Sequence, residues 1–293
     1  MITKGKISVI TVNYNESDTT LALIGDLKRQ EIAGIEIIVV DNSSDVMAQV
    51  PPSENMDYIL IRTDNQGYAA ALNLGVRKAS CNYILLLNND ILLPEGSVEC
   101  LLECLEENTG FSAVSPVLRT QANNEIEFAG FTKINPFTGR NKRIRKTSND
   151  NIAPTPYLHG ACMLVEKEAW KKTGGLPEIY FLYYEEIEWS VRLSALGYKL
   201  GVAQHCNVTH HQSLTISTIK EKAYYYLQRN RILFQRRNAT YFQLIIFSIY
   251  LVVVSVPMNI IRNLLTGRLS FLREYIRAIT WNLTHPIQPH DSV

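Results

Sequence analysis

An α/β fold with a Rossmann-like, mostly parallel central sheet and flanking helices is predicted by three features of the sequence. Short apolar runs alternate with helical patterns over the first 90 residues, the rhythm of strands joined by crossover helices. The runs are apolar nearly throughout, as strands covered on both faces must be. Four of them end in Asn, Asp or both, at the carboxyl edge where open α/β sheets bind their ligands.

The run "ISVITVNYN" (7–15) is the first strand, and "TTLALIGDLKRQ" (19–30) is the helix after it. Two more strands follow in "IEIIVVDNSS" (35–44) and "YILIRTDNQG" (58–67), then the Ala-rich helix "YAAALNLGVRKA" (68–79) and the strand "YILLLNND" (83–90). Residues 95–108 have a helical pattern, and "FSAVSPVL" (111–118) reads as a strand. From Arg119 to Pro156 the pattern dissolves into a polar, Asn-rich tract containing "RNKRIRK". A loop of that length inside a compact domain is usually functional or mobile. Its basic run reads as a solvated face, unless an anionic acceptor or a membrane lies against it. A strand then leads into a helix ending at Gly174-Gly175, "WSVRLSALGYKL" is a helix stopped by Gly197, and "GVAQHCNVTHH" is a last strand.

The net charge of +1 hides an asymmetry: residues 1–215 carry 19 Lys/Arg and 25 Asp/Glu, whereas residues 216–293 carry 10 and 3. This shift, with a helical pattern from about Ile219, separates a body (1–215) from a basic C-terminal region (216–293). No charge occurs between Arg237 and Arg262, and the core "LIIFSIYLVVVSV" meets the length criterion for a membrane span. Arginines flank it on both sides, whereas a single span carries its basic excess on the cytoplasmic side. Pro257 and Asn259 also interrupt the run. Helices lying on or dipping into the cytoplasmic leaflet are therefore expected, with a buried or homodimer helix and a true span as alternatives.

Five cysteines (Cys81, Cys100, Cys104, Cys162, Cys206) without a paired CxxC pattern, and an N-terminus unlike a signal peptide, predict a reduced, cytosolic chain. Cys100 and Cys104 share a helix face and read as packing rather than half a zinc site. The absence of GxGxxG after the first strand argues against a dinucleotide oxidoreductase, and no nucleic-acid partner is expected.

Chemistry concentrates at the strand ends. "LLLNND" delivers Asn88, Asn89 and Asp90, oxygen donors suited to a hard cation such as Mg2+ or Mn2+ shared with substrate phosphates, although a turn uses the same residues. Asp41 can accept a hydrogen bond from a uracil or thymine ring N–H, or cap its own loop, and Asn13 and Tyr14 can line the same pocket. Of His210 and His211 only one can face a site, because adjacent strand residues point to opposite faces. In "FLYYEEIEW" (181–189), Glu185 and Glu188 share a helix face and Glu186 points about a quarter turn away. Acids in a first turn suit the helix dipole, but a carboxylate among rings is also desolvated toward the proton affinity of a general base.

The segments "TVNYN", "VVDNSS", "NQGYAAALN", "LLLNND", "HGACMLVEKEAWKKTGGLPE" and "YFLYYEEIEWSVRLSALGY", in this order over about residues 6–237, resemble the bacterial family 2 glycosyltransferases, especially the rhamnosyltransferase-like branch. The resemblance implies a GT-A fold, with a nucleotide-sugar half over about 1–118 and an acceptor half over about 119–215. It also implies metal-dependent, inverting transfer from a nucleoside diphosphate sugar, UDP- or dTDP-linked, to a hydroxyl of a glycan or lipid-linked glycan. Carried over by position, Asp41, Asn65 and Gly67 would bind the nucleotide, and Asp90 with His210 the metal; Asn88, at the same strand end, is a further nucleotide candidate. Glu186 would be the base, with Glu185 and Glu188 supporting it or, for Glu188, replacing it. His159, Gly160, Tyr184 and Trp189 would meet the acceptor. Two departures are visible: Asn88-Asn89-Asp90 holds a single carboxylate, and Glu186 and Glu188 stand where the family has Asp. The expected protein is a peripheral enzyme of glycan synthesis at the cytoplasmic face of the inner membrane. A catalytically weak scaffold and a Rossmann-type methyltransferase are the competing readings.

Overall fold

The computed structural model of the protein describes residues 7–30, 32–53, 55, 57–211 and 220–287. The chain divides into two units, the first comprising 1–132, 143–181 and 185–215 and the second 133–142, 182–184 and 216–293. The expected boundary at residue 215 and the helix onset near Ile219 lie outside the described residues.

In the first unit the strands are β1 (Ile7–Asn13), β2 (Glu36–Asp41), β3 (Ile59–Arg62), β4 (Tyr83–Leu87), β5 (Ile91–Leu92), β6 (Ala113–Thr120), β7 (Ile126–Phe128), β8 (Ile152–Pro154), β9 (Cys162–Glu166) and β10 (Leu200–His210). They form one sheet in the order β3-β2-β1-β4-β9-β6-β10-β5, with β7 on β6 and β8 on β10. The sheet is parallel from β3 to β4, but β9 runs antiparallel between β4 and β6. It is therefore mixed rather than mostly parallel. The cause lies at one spot: β9 starts where β4 ends, Cys162 facing Leu87, so the chain enters from the carboxyl edge. That entry brings His159 and Gly160 to the exit of β4, where Asn88 N donates to Ala161 O at 2.9 Å. The tract 119–156 is not one unbroken loop, since it contributes β7 and β8.

Helices α1 (Ser17–Arg29) and α3 (Ser97–Glu107) cover one face of the sheet; α2 (Tyr68–Lys78), α4 (Lys167–Thr173) and α5 (Glu185–Ala195) cover the other. Strands β1, β2 and β4 feed both layers by alternation. Ile7, Val9, Ile37, Val39, Leu85 and Leu87 enter the first core, and Ile10, Val12, Ile38, Val40, Ile84 and Leu86 the second. This double burial is why the strands read as continuous apolar runs.

The cysteine expectation needs correction. α3 packs along β10 with the Cα atoms of Cys100 and Cys206 5.8 Å apart, and the two are joined as a disulfide, a separation well inside the range such a bond spans. Cys81, Cys104 and Cys162 are free and buried. A pairing across 106 residues leaves no local pattern.

The turn before α2 is fixed by close approach. Gly67 has φ +103°, and a Cβ there would lie 2.7 Å from the carbonyl oxygen and 2.8 Å from Cα of Phe181. The Phe181 carbonyl in turn accepts from Tyr68 N at 2.7 Å. Gly67→Ala is expected to destabilise the protein by at least ~1–3 kcal/mol from backbone conformation alone, read as a lower urea midpoint. An unchanged midpoint would mean that the Phe181 turn does not sit there.

The second unit holds α6 (Lys220–Asn238), α7 (Tyr241–Tyr250), a π-turn (Leu251–Ser255), α8 (Val256–Leu265) and α9 (Leu269–Thr284). Thr240 and Gln243 form a reciprocal capping box at the start of α7. Helical structure runs from Tyr241 to Leu265 and contains an 18-residue window of mean hydropathy 2.4, long and apolar enough to cross a membrane by length and composition. Pro257 does not break it, because it falls in the first turn of α8 after the π-turn.

This stretch is polar toward the protein and apolar toward the outside. Ser255, Asn259 and Asn263 are buried and form a ladder, Asn259 Nδ2 donating to Ser255 O at 2.7 Å and Asn263 Nδ2 to Asn259 O at 2.9 Å. Val252, Val253, Met258 and Ile261 are all more than half exposed. Within the same unit, fully buried Asn230 donates to the carbonyls of Leu182 and Tyr183, both at 2.7 Å. It thereby anchors a segment in which Tyr183 and Tyr184 adopt positive φ, a conformation bulky residues rarely take.

Candidate active site

The site forms in the first unit where β4 and β10 end and β9 begins. Asp90 follows β4, and β5 pairs antiparallel with the end of β10 so that His210 lies opposite Ile91. His210 Nε2 is 3.5 Å from Asp90 Oδ2, and His211 N donates to Asp90 O at 2.9 Å. Asp90 is 4% exposed, and its Oδ1 has no hydrogen-bond partner. Asn88 and Asn89 turn elsewhere, Asn88 Oδ1 accepting from the Tyr68 hydroxyl at 2.5 Å and Asn89 Nδ2 donating to Thr20 Oγ1 at 3.1 Å.

Glu127, on β7, is a residue that the sequence reading missed. Its Oε2 lies 3.1 Å from His210 Nδ1, and its Oε1 pairs with Arg143. Burial opposes charge on His210, but Asp90 and Glu127 outweigh it and push its pKa up to about 9. The hydrogen bond from His210 in turn holds Glu127 down to about 2 against its burial. The orphaned Asp90 oxygen, an imidazole beside it and a carboxylate orienting that imidazole make a donor set that fits a divalent cation. Among the described residues no three His, Cys, Asp or Glu converge on one point, so further ligands would come from substrate phosphates.

The carboxylates of α5 separate by environment. Glu185 is buried, its Oε2 without a partner, and burial first and then Glu186 push its pKa well above the usual carboxylate range. Glu186 is partly exposed, and its side chain lies beside Gly160, where a Cβ would sit 3.5 Å from Glu186 Cδ. Glu188 is fully buried, accepting from the Tyr180 hydroxyl and, at 2.7 Å, from Arg192 Nη2. These partners make Glu188 a brace between the turn and α5, which corrects its reading as a catalytic group.

Tyr68, also missed, links the groups. Its hydroxyl donates to Asn88 and lies 3.3 Å from Gly160 O. Burial and the charges of Glu185, Asp90 and Glu186 raise its pKa well above 10, so it stays a neutral donor.

Other expected contacts are turned inward. Asn13 is fully buried; its amide nitrogen reaches Asp41, Ser43 and Ala48, and its oxygen accepts from Thr20, so no atom is left for a nucleotide. Asp41 is 2% exposed and accepts from Asn13, Ser43 N and Val50 N, leaving about one of its roughly four lone-pair sites. Gly67 faces Phe181 rather than open space. Asn65 is exposed, its Oδ1 accepting from Gly67 N at 3.1 Å, and Tyr14 is partly exposed.

Trp189 is a core residue, bonded to Thr173 and 5.0 Å from the Trp170 ring, because position 189 falls on the sheet-facing side of α5. His159 is likewise buried, stacked on Phe131 and edge-on to His210, and burial drives its pKa to about 3. Both are corrected as acceptor contacts. Tyr184 belongs to the second unit, its ring 5.8 Å from that of Phe234.

The profile described as Glycosyl transferase family 2 matches residues 8–174. The chain belongs to glycosyl transferase family 2. This membership excludes the methyltransferase alternative. A hexosyltransferase of low-salt glycan biosynthesis from Haloferax volcanii, Agl10, is 25% identical over 236 residues, 78% of this glycosyltransferase and 74% of the relative. An N-acetylglucosaminyl-diphospho-decaprenol L-rhamnosyltransferase from Mycobacterium tuberculosis is 23% identical over 71% of this chain and 76% of its own length. Among solved structures, a mannosyltransferase from Pyrobaculum calidifontis in complex with GDP-Man and Mn2+ is similar at TM-score 0.57 and 15% identity, covering 96% of this chain and 88% of that one. The family 2 glycosyltransferase thus has the GT-A fold.

Proposed function

We propose that this glycosyltransferase moves a sugar, with inversion, from a UDP- or dTDP-linked donor to a hydroxyl of a glycan or lipid-linked glycan in bacterial polysaccharide synthesis. The observation that carries the reading is the grouping of Asp90, His210, Tyr68, Glu185 and Glu186 at the carboxyl edge of β4. Burial and the neighbouring carboxylate favour the neutral form of Glu185, and Glu186 is the more exposed of the two. Glu186 takes the acceptor proton as the acceptor oxygen attacks the anomeric carbon and the bond to the diphosphate breaks on the opposite face. Tyr68 stays neutral and holds Asn88 and the Gly160 carbonyl in place beside the base. Asp90 and His210 would hold Mg2+ or Mn2+, which supplies charge to offset that building on the leaving diphosphate. Asp41 and Asn65 would receive the nucleotide. The second unit lies at the cytoplasmic face of the inner membrane with the apolar side of Tyr241–Leu265 in the lipid interface, supported by its inverted polarity and by arginines at both ends.

A thermal-shift and turnover screen of nucleotide sugars with Mn2+ tests this. A UDP- or dTDP-sugar at a hundred times its Kd is expected to stabilise the protein by ~2.7 kcal/mol and to release nucleoside diphosphate, both reversed by EDTA. Binding without turnover would favour the scaffold reading that the single acid of Asn88-Asn89-Asp90 allows. Neither binding nor turnover with any donor would overturn the proposal.

A further inference from the structure

The second unit contains a cleft of about 350 Å3 whose wall includes Arg140, Asn141, Tyr184, Arg231, Asn259 and Arg262. Its polar groups are overwhelmingly donors. Arg231 is 6% exposed; its guanidinium lies over the rings of Phe247 and Tyr250 at 5.9 and 6.0 Å, and the oxygens it meets are neutral, with Nε 3.1 Å from Thr138 O and Nη1 3.5 Å from Ser255 Oγ. No ion pair among the described residues joins Arg140, Arg231 or Arg262 to a carboxylate. The described acids of this unit are engaged elsewhere, Glu221 with Ser270 and Glu274 with Arg277. Burial, and next the charge of Arg140, pull Arg231 below the ordinary arginine pKa. Asn141 Nδ2 is buried with no partner.

A desolvated guanidinium facing two others without a counter-charge is a costly arrangement unless an anion completes it. Guanidinium forks match phosphate oxygens in pairs. The cleft also has a second character. Asn259 and Arg262 reach it from α8, the helix whose other side exposes Met258, Ile261, Leu264 and Leu265. An anion held there lies beside a surface suited to hydrocarbon.

We propose that this cleft binds the diphosphate of a lipid-linked glycan acceptor, the arginines taking the phosphates and the apolar side of α7 and α8 the isoprenoid chain. The proposal rests on the glycosyl-transfer reading for its biological meaning, though not for its binding chemistry. Three charge-assisted contacts and adjacent hydrocarbon distinguish such a ligand from a free anion, which uses only the first, and from a bilayer phosphodiester, which carries a single charge.

The test is calorimetric titration of the full chain in detergent micelles, with saturating UDP to occupy the donor site and farnesyl diphosphate as the probe. Arg140 and Arg262 are exposed, so the double variant R140Q/R262Q is expected to keep its circular-dichroism spectrum while binding the probe at least tenfold more weakly. Farnesol and pyrophosphate should each bind at least tenfold more weakly than the probe to the unmodified chain. Unchanged affinity in R140Q/R262Q would overturn the proposal. Pyrophosphate binding as tightly as farnesyl diphosphate would assign the cleft to a free anion and overturn it too. So would arginine-dependent binding to phosphatidylglycerol vesicles with no arginine dependence for the probe. Nucleotide-sugar turnover is read separately: arginine-dependent probe binding by a chain that turns over no donor supports the cleft and removes only the enzymatic reading.

Discussion

Glu186→Gln is expected to lower glycosyl transfer by about 10²–10⁴-fold, the usual contribution of a general base, while nucleotide-sugar affinity stays at the unmodified level. The amide keeps the size of the side chain beside Gly160 but cannot take the acceptor proton. Glu185 is the less suited to take over, since burial and then its neighbour raise its pKa well above the usual carboxylate range. The measurement is transfer rate against donor Kd for the same preparation. Undiminished turnover in Glu186→Gln would remove Glu186 from the mechanism. A parallel loss of donor binding would instead show that the variant disturbs the site as a whole.

The second large effect is expected from Asp90→Asn. The substitution removes the one carboxylate of "NND" and with it the charged oxygen donor next to His210. Mn2+ affinity in the presence of UDP should fall, and the donor Kd measured in Mn2+ should rise to its value in EDTA. Glu127→Gln should have the milder effect of an orienting partner, about 10–100-fold in metal affinity, because His210 keeps its position on β10 and loses only the negative charge of the acceptor at Nδ1. Titration of Mn2+ into the three proteins with UDP present gives the order. If Asp90→Asn bound Mn2+ as tightly as the unmodified chain, Asp90 and His210 would have to be assigned another task.

What the sequence disclosed and what it hid divide along a physical line. Strand runs such as "IIVVD" and "LLLNND" announced both burial on two faces and a polar exit, because both are properties of consecutive residues. Glu185 and Glu188 share one helix face as their spacing requires, and i,i+4 spacing offers Arg192 to Glu188, but spacing cannot say that the Tyr180 hydroxyl also closes on Glu188 and leaves it buried. Asn13 and Asp41 look alike as polar strand ends. Only the loop folding back over 43–50 makes the first a saturated hub and leaves the second nearly so. Trp189 belongs to the core for the same reason, its indole N–H finding Thr173 sixteen residues earlier. Glu127 was concealed differently, since a three-residue strand inside a polar tract is too short for any period to register. The Cys100–Cys206 pair and the antiparallel entry of β9 depend on contacts across the sheet that no local window contains.

The position of β10 sets the order in which the proposed Asp90–His210 centre can be completed. Asp90 emerges from the ribosome 120 residues before His210, and the strand that brings them together is the last of the sheet in sequence and pairs along the whole of β6. A nascent chain can therefore assemble the β3-β2-β1-β4 half, with its local crossovers, long before any functional centre exists. Closure waits on the longest-range pairing, the slow kind. Until β10 is made, one edge of β6 has no strand to pair with. Asp90 and His210 meet only once that edge has been sealed by the strand that also carries the histidine.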